Sequence, residues 1–183
     1  MTEEKLQKLL FSFKCERDTD IEYFLHSKAV SYEQLSKART YLIVAEEDLA
    51  AKSIDEVVIL GYIALALKVL TVHESVSNRT RKELDGLSAK IHGEQITSFP
   101  VYLIGQLGRN SKAQKADLPG DTLLNYAFDI IQASVDAVGG RYVLIECHDN
   151  TSLIGFYARN HFVTLPNEPD QDRTMVQMIR KIV

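Results

Sequence analysis

Two rhythms of apolar and polar positions run along this chain, and they are clearest in its second half. Val101–Gly108 reads as a strand, Arg109–Gly120 as a basic loop and Asp121–Val138 as a long amphipathic helix. Leu124, Ala127, Phe128, Ile131, Val135 and Val138 recur at helical spacing and give that helix one apolar stripe. Asp121 is a good N-cap residue, and Gly139-Gly140 supplies a C-terminal stop. Arg141–Cys147 follows as a strand, and its continuous apolar run Tyr142–Ile145 is typical of a strand covered on both faces. A short helix from Thr151 comes next, with candidate strands at His161–Leu165 and Thr174–Ile182 joined by the loop Pro166–Arg173.

The first half is less regular. Leu9–Cys15 is a short apolar run that predicts a strand ending at Glu16-Arg17-Asp18. Asp20 can cap a helix from Ile21, with Ile21, Phe24, Leu25, Ala29, Tyr32 and Leu35 on one face. Thr40–Ala45 is β-branched and aromatic, a strand. Glu46–Glu56 is polar and reads as a hairpin connection. Val57–Val72 predicts a long buried strand, bulged at Gly61, with a helix as the alternative because Ala64–Lys68 has high helix propensity. Leu84, Leu87 and Ile91 predict one helix or two short ones within Glu74–Gln95.

A strand, a loop, a helix and a second strand from Val101 to Cys147 form a βαβ unit with parallel strands and a right-handed crossover. The loop of such a unit brings free backbone N–H groups and a positive helix end to the carboxyl edge of the sheet, where an anionic cofactor can dock. Composition narrows the picture without redirecting it. At 183 residues, 45% hydrophobic and 25% charged, the chain is most simply a single globular domain spanning 1–183. No apolar run approaches the roughly 20 residues that span a bilayer, so no membrane partner is expected. Met1-Thr2-Glu3-Glu4-Lys5 lacks the basic and apolar regions of a signal peptide, which points to a cytoplasmic protein. Cys15 and Cys147 are far apart and read as free thiols, and the histidines form no metal-ligand pattern, so no metal is expected. A net charge of −4 argues against a broad nucleic-acid surface.

These residues resemble the GNAT superfamily of acetyl-CoA-dependent N-acetyltransferases from about Leu9 to the end. The family's Phe-Tyr-x-x-x-Gly-Phe signature is matched by Phe156-Tyr157-Ala158-Arg159-Asn160-His161-Phe162, with His161 in the glycine's place. Asn150 precedes Tyr157 by seven residues, where the family often has an asparagine that contacts the cofactor. Leu103–Asn110 is similar to the family's fourth strand. Phe13-Lys14-Cys15, Tyr23-Phe24-Leu25 with Ala29, Thr40–Ile43 and Leu60-Gly61-Tyr62 look like the acetyltransferase toxins of toxin–antitoxin pairs, which acetylate the amino group of charged tRNA. The resemblance implies an α/β (α+β) GNAT fold, a mixed central sheet splayed between two parallel strands with helices on both faces. Acetyl-CoA is then the acyl donor and sits in the splay.

The pyrophosphate loop departs from the family pattern Gln/Arg-x-x-Gly-x-Gly/Ala. Here it reads Lys115-Ala116-Asp117-Leu118-Pro119-Gly120, so Leu118 stands where the first glycine belongs, and Asp117 and Asp121 bring negative charge. Glycine lets backbone approach phosphates closely, and Lys112 and Lys115 can offset its loss by charge-assisted contacts. Lys112, Lys115, Gly120 and Asp121 are therefore the candidate diphosphate residues. The backbone of Gln106, Leu107 and Gly108 can pair with the pantetheine arm as an added strand. Asn150 either contacts the cofactor or caps the helix from Thr151. Tyr157 is the catalytic candidate: a phenol of pKa about 10 can give a proton to the departing thiolate. Glu146 and His148 are candidate bases, each more often structural in such a position.

The leading reading is an N-acetyltransferase acting by direct attack of a primary amine, carried by a small molecule or a peptide. One alternative is a toxin acting on aminoacyl-tRNA. The acidic balance weighs against tRNA without excluding it. The other is a GNAT-fold binding module whose altered loop no longer takes CoA. A homodimer is left open.

Overall fold

The computed structural model describes residues 2–54, 56–166 and 174–182. They form two compact units, 1–66 with 105–130 and 67–104 with 131–183.

The first unit opens with α1 (Glu3–Leu10), capped by Thr2, whose side chain accepts from Lys5 N–H. The strand expected at Leu9–Cys15 is not there. Glu3 and Glu4 suit the positive end of a helix, and Leu6, Leu9 and Leu10 fall on one helical face that packs into the core. Helix α2 (Thr19–Ser27) is capped by Asp18 rather than Asp20, and α3 (Ala29–Gln34) follows after a break at Lys28, so the single expected helix is two. Strand β1 (Arg39–Ile43) leads to α4 (Glu46–Ala51) in the polar connection, and then to β2 (Gly61–Thr71). The strand reading of β2 holds over the helix. Its ladder with β1 is antiparallel and regular from Arg39↔Leu65 to Ile43↔Gly61, so there is no bulge at Gly61. Glycine is needed there for another reason. A Cβ on Gly61 would lie 2.5 Å from Leu118 Cδ2 and 2.9 Å from Gly108 O. Within this unit the strand order is β1-β2-β5, where β5 spans Ser98–Arg109. Phe13, Leu25, Ile59 and Tyr62 are fully buried in its core. Helix α6 (Gly120–Val138) begins here and carries the buried Leu124 and Ala127.

The second unit continues β2 and β5 in the order β2-β5-β6-β8-β7, with β6 at Tyr142–His148, β8 at Met175–Lys181 and β7 at Val163–Thr164. The expected parallel pair is present: β5 meets β6 at Tyr102↔Val143, Leu103↔Leu144 and Ile104↔Ile145. Strand β8 runs antiparallel to β6 over seven pairs, from Tyr142↔Lys181 to His148↔Met175. The Glu74–Gln95 region holds one helix, α5 (Asn78–Asp85), and then a small hairpin of β3 (Lys90–Ile91) and β4 (Glu94–Gln95). His92 and Gly93 both take positive φ, the signature of a two-residue hairpin turn, and that local geometry overrides the helical spacing of Ile91. Arg81 is fully buried and gives its guanidinium to the carbonyls of His73, Glu74, Val76 and Ile96. The α6 stripe ends early: Ile131 is buried, but Val138 is 78% exposed. Helix α7 spans Thr151–Arg159. Past Pro166, the loop expected over Pro166–Arg173 lies outside the described residues. Among the described residues no helix is long and apolar enough to cross a membrane.

Candidate active site

In the first unit, strand β5 runs on past its last parallel pair. The ladder with β6 stops at Ile104, while β5 continues to Arg109. Gln106, Leu107 and Gly108 therefore lie on a stretch of strand with no register pair to β6 among the described residues. Gln106 and Leu107 are half-buried and Gly108 is buried. A Cβ on Gly108 would sit 2.5 Å from Ile21 Cγ2 and 3.1 Å from both Phe13 Cζ and Tyr62 Cε1, so the glycine is required by the core behind the strand. Tyr62 gives its proton to the Ile21 carbonyl at 2.6 Å, with Gln106 Oε1 further away at 3.4 Å. Burial keeps that phenol well above its ordinary pKa, with small additions from Cys15 and Asp18.

Asn110 closes the strand and holds the loop. It is fully buried. Its Nδ2 donates to the Ser12 and Ile59 carbonyls at 3.1 and 2.7 Å, and its Oδ1 accepts from the N–H groups of Lys112 and Lys14 at 3.0 and 3.3 Å. All four partners are backbone atoms from three separate segments. The sequence gives little sign of this role, because an asparagine after a strand is usually an ordinary turn residue.

Leu118, the residue that breaks the family pattern, is a core residue. It is 2% exposed and fills the space that a side chain at position 61 would occupy. Asp117 accepts from Gln114 N–H at 3.1 Å, so one carboxylate oxygen closes the loop upon itself. Lys112 and Lys115 are exposed. Helix α6 begins at Gly120, with its first backbone bond from Leu123 N–H to Pro119 O, so Asp121 lies in the first turn and is not the cap. The N–H groups of Gly120 and Thr122 have no hydrogen-bond partner among the described residues. Unpaired N–H groups at the start of a 19-residue helix suit a phosphate.

Tyr157 and Asn150 belong to the second unit, on and before α7. Asn150 caps the helix: its Oδ1 accepts from Ser152 N–H at 2.9 Å and Leu153 N–H at 3.3 Å. That atom serves the helix end, which leaves only the amide NH₂ for a ligand. Tyr157 is 8% exposed, edge-on to Phe156 and Phe162. Its hydroxyl makes no hydrogen bond to any described residue. Burial first, and the Cys147 thiol second, raise its pKa well above that of a free phenol. The group is a proton donor at neutral pH and not a base. Burial also raises the Cys147 thiol, with Asp149 adding to it, so Cys147 stays neutral.

His161 holds φ +66° just past α7, a left-handed conformation that a glycine adopts without strain. A glycine, which the signature it resembles has at this position, would take that conformation at no steric cost. His161→Gly should stabilise the protein by about 1 kcal/mol, seen as a rise of roughly 2–4 °C in a thermal melt.

Of the candidate bases, His148 is exposed at the end of β6. Glu146 is half-buried and accepts from Lys68 Nζ and Gln177 Nε2. Burial pushes its pKa up, but those two hydrogen bonds and the lysine charge outweigh burial and leave it below the usual carboxylate range. It is therefore a firm carboxylate and a weak base.

The backbone matches several solved structures along nearly its whole length. A bacterial toxin aligns with 96% of this chain and 82% of its own, at 20% identity and a TM-score of 0.66. AtaT complexed with acetyl-methionyl-tRNAfMet aligns over 92% of this chain and 85% of its own, at 19% identity and a TM-score of 0.63. A tyrosine-to-phenylalanine mutant of AtaT bound to the C-terminus of the antitoxin AtaR and acetyl-CoA aligns over 94% and 84%, at 17% identity and 0.62. This chain has the GNAT fold. No protein-family model and no curated protein matches the sequence. β5 and β6 are the parallel pair; Leu103–Arg109 lies on β5, and Phe156–Arg159 closes α7, with His161 and Phe162 beyond the helix.

Proposed function

We propose that the chain is an acetyl-CoA-dependent N-acetyltransferase of the toxin type, with the amino group of an aminoacyl-tRNA as its acceptor. One observation carries the reading: over 92% of its length the chain shares its fold with a toxin solved in complex with an acetylated aminoacyl-tRNA. The whole-chain charge of −4 favoured a small amine or a peptide. Phosphate contacts are local, however, and net charge does not describe them. The reading as a binding module without CoA rested on Leu118, and Leu118 has a packing role that accounts for it.

The residues present suit the cofactor. The N–H groups of Gly120 and Thr122 would hold its diphosphate, with Lys112 and Lys115 adding charge, and the free stretch of β5 at Gln106–Gly108 would pair with its pantetheine arm. When bound, acetyl-CoA supplies an activated acetyl group and a sulfur that must be protonated as it departs. Tyr157 keeps its phenolic proton at Oη because burial disfavours the phenolate, and an unpartnered hydroxyl is ready to donate. Asn110 fixes the backbone at the start of the loop, which lowers the ordering cost of ligand binding there.

Purified protein incubated with acetyl-labelled acetyl-CoA and bulk charged tRNA should leave label on the amino acid. Acetyl-CoA at 100 times its Kd should stabilise the fold by about 2.7 kcal/mol. Label on added peptides or small amines but none on charged tRNA would restore the first reading of the acceptor. No thermal shift at millimolar acetyl-CoA would remove acetyl transfer altogether.

A further inference from the structure

On one face of the second unit's sheet, side chains stand in rows. Leu70, Val101, Leu144 and Ile179 are buried together, with Leu103 half-buried against them. Residues two apart on a strand share a face. The next row toward the carboxyl end of β6 is therefore Lys68 on β2, Glu146 on β6 and Gln177 on β8. Glu146 and Gln177 are direct cross-strand partners. At this row the face stops being apolar and opens. Lys68 Nζ lies 2.5 Å from Glu146 Oε2, and Gln177 Nε2 lies 2.8 Å from Oε1. The two charged side chains remain 36% and 30% exposed. Glu146 is also the first residue of β6 beyond the last parallel pair, Ile104↔Ile145. In open sheets with parallel strands, ligands bind outside the carboxyl ends of those strands.

We propose that Glu146 anchors the amino group of the acetyl acceptor, with Lys68 and Gln177 as its positioning residues. The inference deepens the acetyl-transfer reading and rests on it. A carboxylate offers about four lone-pair sites. Two are used here, one on each oxygen, and the exposed side keeps the others for N–H donors. An amine or ammonium group supplies such donors, and hydrogen bonds to an ionised acceptor are the stronger kind. The two partners fix both oxygens, so the carboxylate is held still before the acceptor arrives. Its contact with the nitrogen then adds to acceptor binding, which the KM reports. Packing alone does not call for this row, since a half-buried ion pair is often replaceable by apolar groups without loss.

The test uses the full chain, acetyl-labelled acetyl-CoA and bulk tRNA charged with amino acids. Glu146→Gln keeps the volume and removes the charge. The KM for charged tRNA should rise about 10- to 100-fold, the worth of a hydrogen bond to a charged group. The kcat should fall far less, and acetyl-CoA binding by calorimetry should stay as in the wild type. A second variant carries Lys68→Glu together with Glu146→Lys, which rebuilds the ion pair with its sign inverted. It should regain any melting temperature lost by Glu146→Gln and still show the raised KM. A wild-type KM in Glu146→Gln, or a KM restored by the exchange, reduces the pair to a brace between strands and overturns the anchor. A wild-type protein that acetylates nothing overturns the acetyl-transfer reading itself, and the anchor falls with it.

Discussion

Tyr157→Phe should lower kcat by about 10²–10⁴, the usual contribution of general acid catalysis, while acetyl-CoA binding stays nearly unchanged. The substitution removes one oxygen from a ring held edge-on by Phe156 and Phe162, so packing is kept. The lost hydroxyl has no described hydrogen-bond partner, so no buried group is orphaned, and the melting temperature should move little. An equal fall in kcat and kcat/KM would mark an interaction made only in the transition state. Because burial raises this pKa, the acid stays protonated through neutral pH and into the alkaline range. Activity should therefore show no alkaline limb from Tyr157 below the pH at which free phenols ionise. Turnover at the wild-type rate by the Phe variant would make Tyr157 a packing residue and pass its proton to water or another group.

Asn110→Leu should cost about 3–5 kcal/mol in stability. The side chain is close in size, so the effect is one of hydrogen bonds and not of volume. The Ser12 and Ile59 carbonyls lose their donor, and the Lys14 and Lys112 N–H groups lose their acceptor. Each buried polar group left unpaired costs about 1–3 kcal/mol, and the more exposed of the four regain water. Thermal melts should show a drop on the order of 10 °C. Acetyl-CoA affinity should fall as well, because the loop carrying Lys112 and Lys115 is no longer fixed at its root. Asn110→Asp makes the cause visible: it keeps acceptors for Lys14 and Lys112 but sets a second oxygen against two carbonyls, so it should be at least as damaging. A melt within 2 °C of wild type for both variants, on the scale of roughly 2–4 °C per kcal/mol, would show that water replaces these bonds at no cost.

Of the strand expected at Leu9–Cys15, Leu9 and Leu10 close a helix capped by Thr2 with acids in its first turn, and residues 11–15 are turn and loop. Of one helix or two in Glu74–Gln95, the structure has one, and the rest forms a hairpin whose turn residues His92 and Gly93 take positive φ. Leu118 looked like a defect in a phosphate loop and is a packing residue. Asn150 was open between cofactor contact and helix cap, and its oxygen serves the cap.

The sequence by itself determined the order β5, loop, α6, β6, α7, since α6 carries a long local stripe and β5 and β6 are continuous apolar runs. It singled out Tyr157 as well, through a contiguous signature, but only the fold set that tyrosine near the end of α7, with His161 and Phe162 beyond the helix. Tertiary structure alone decided that Asn110 ties three segments together, that Gly61 and Leu118 mesh, and that Lys68 meets Glu146 from 78 residues away. These pairings leave no periodic trace. An asparagine's hydrogen-bonding capacity, a glycine's missing Cβ or a lysine's charge is the same in every setting, and only the folded chain selects the atom each one meets.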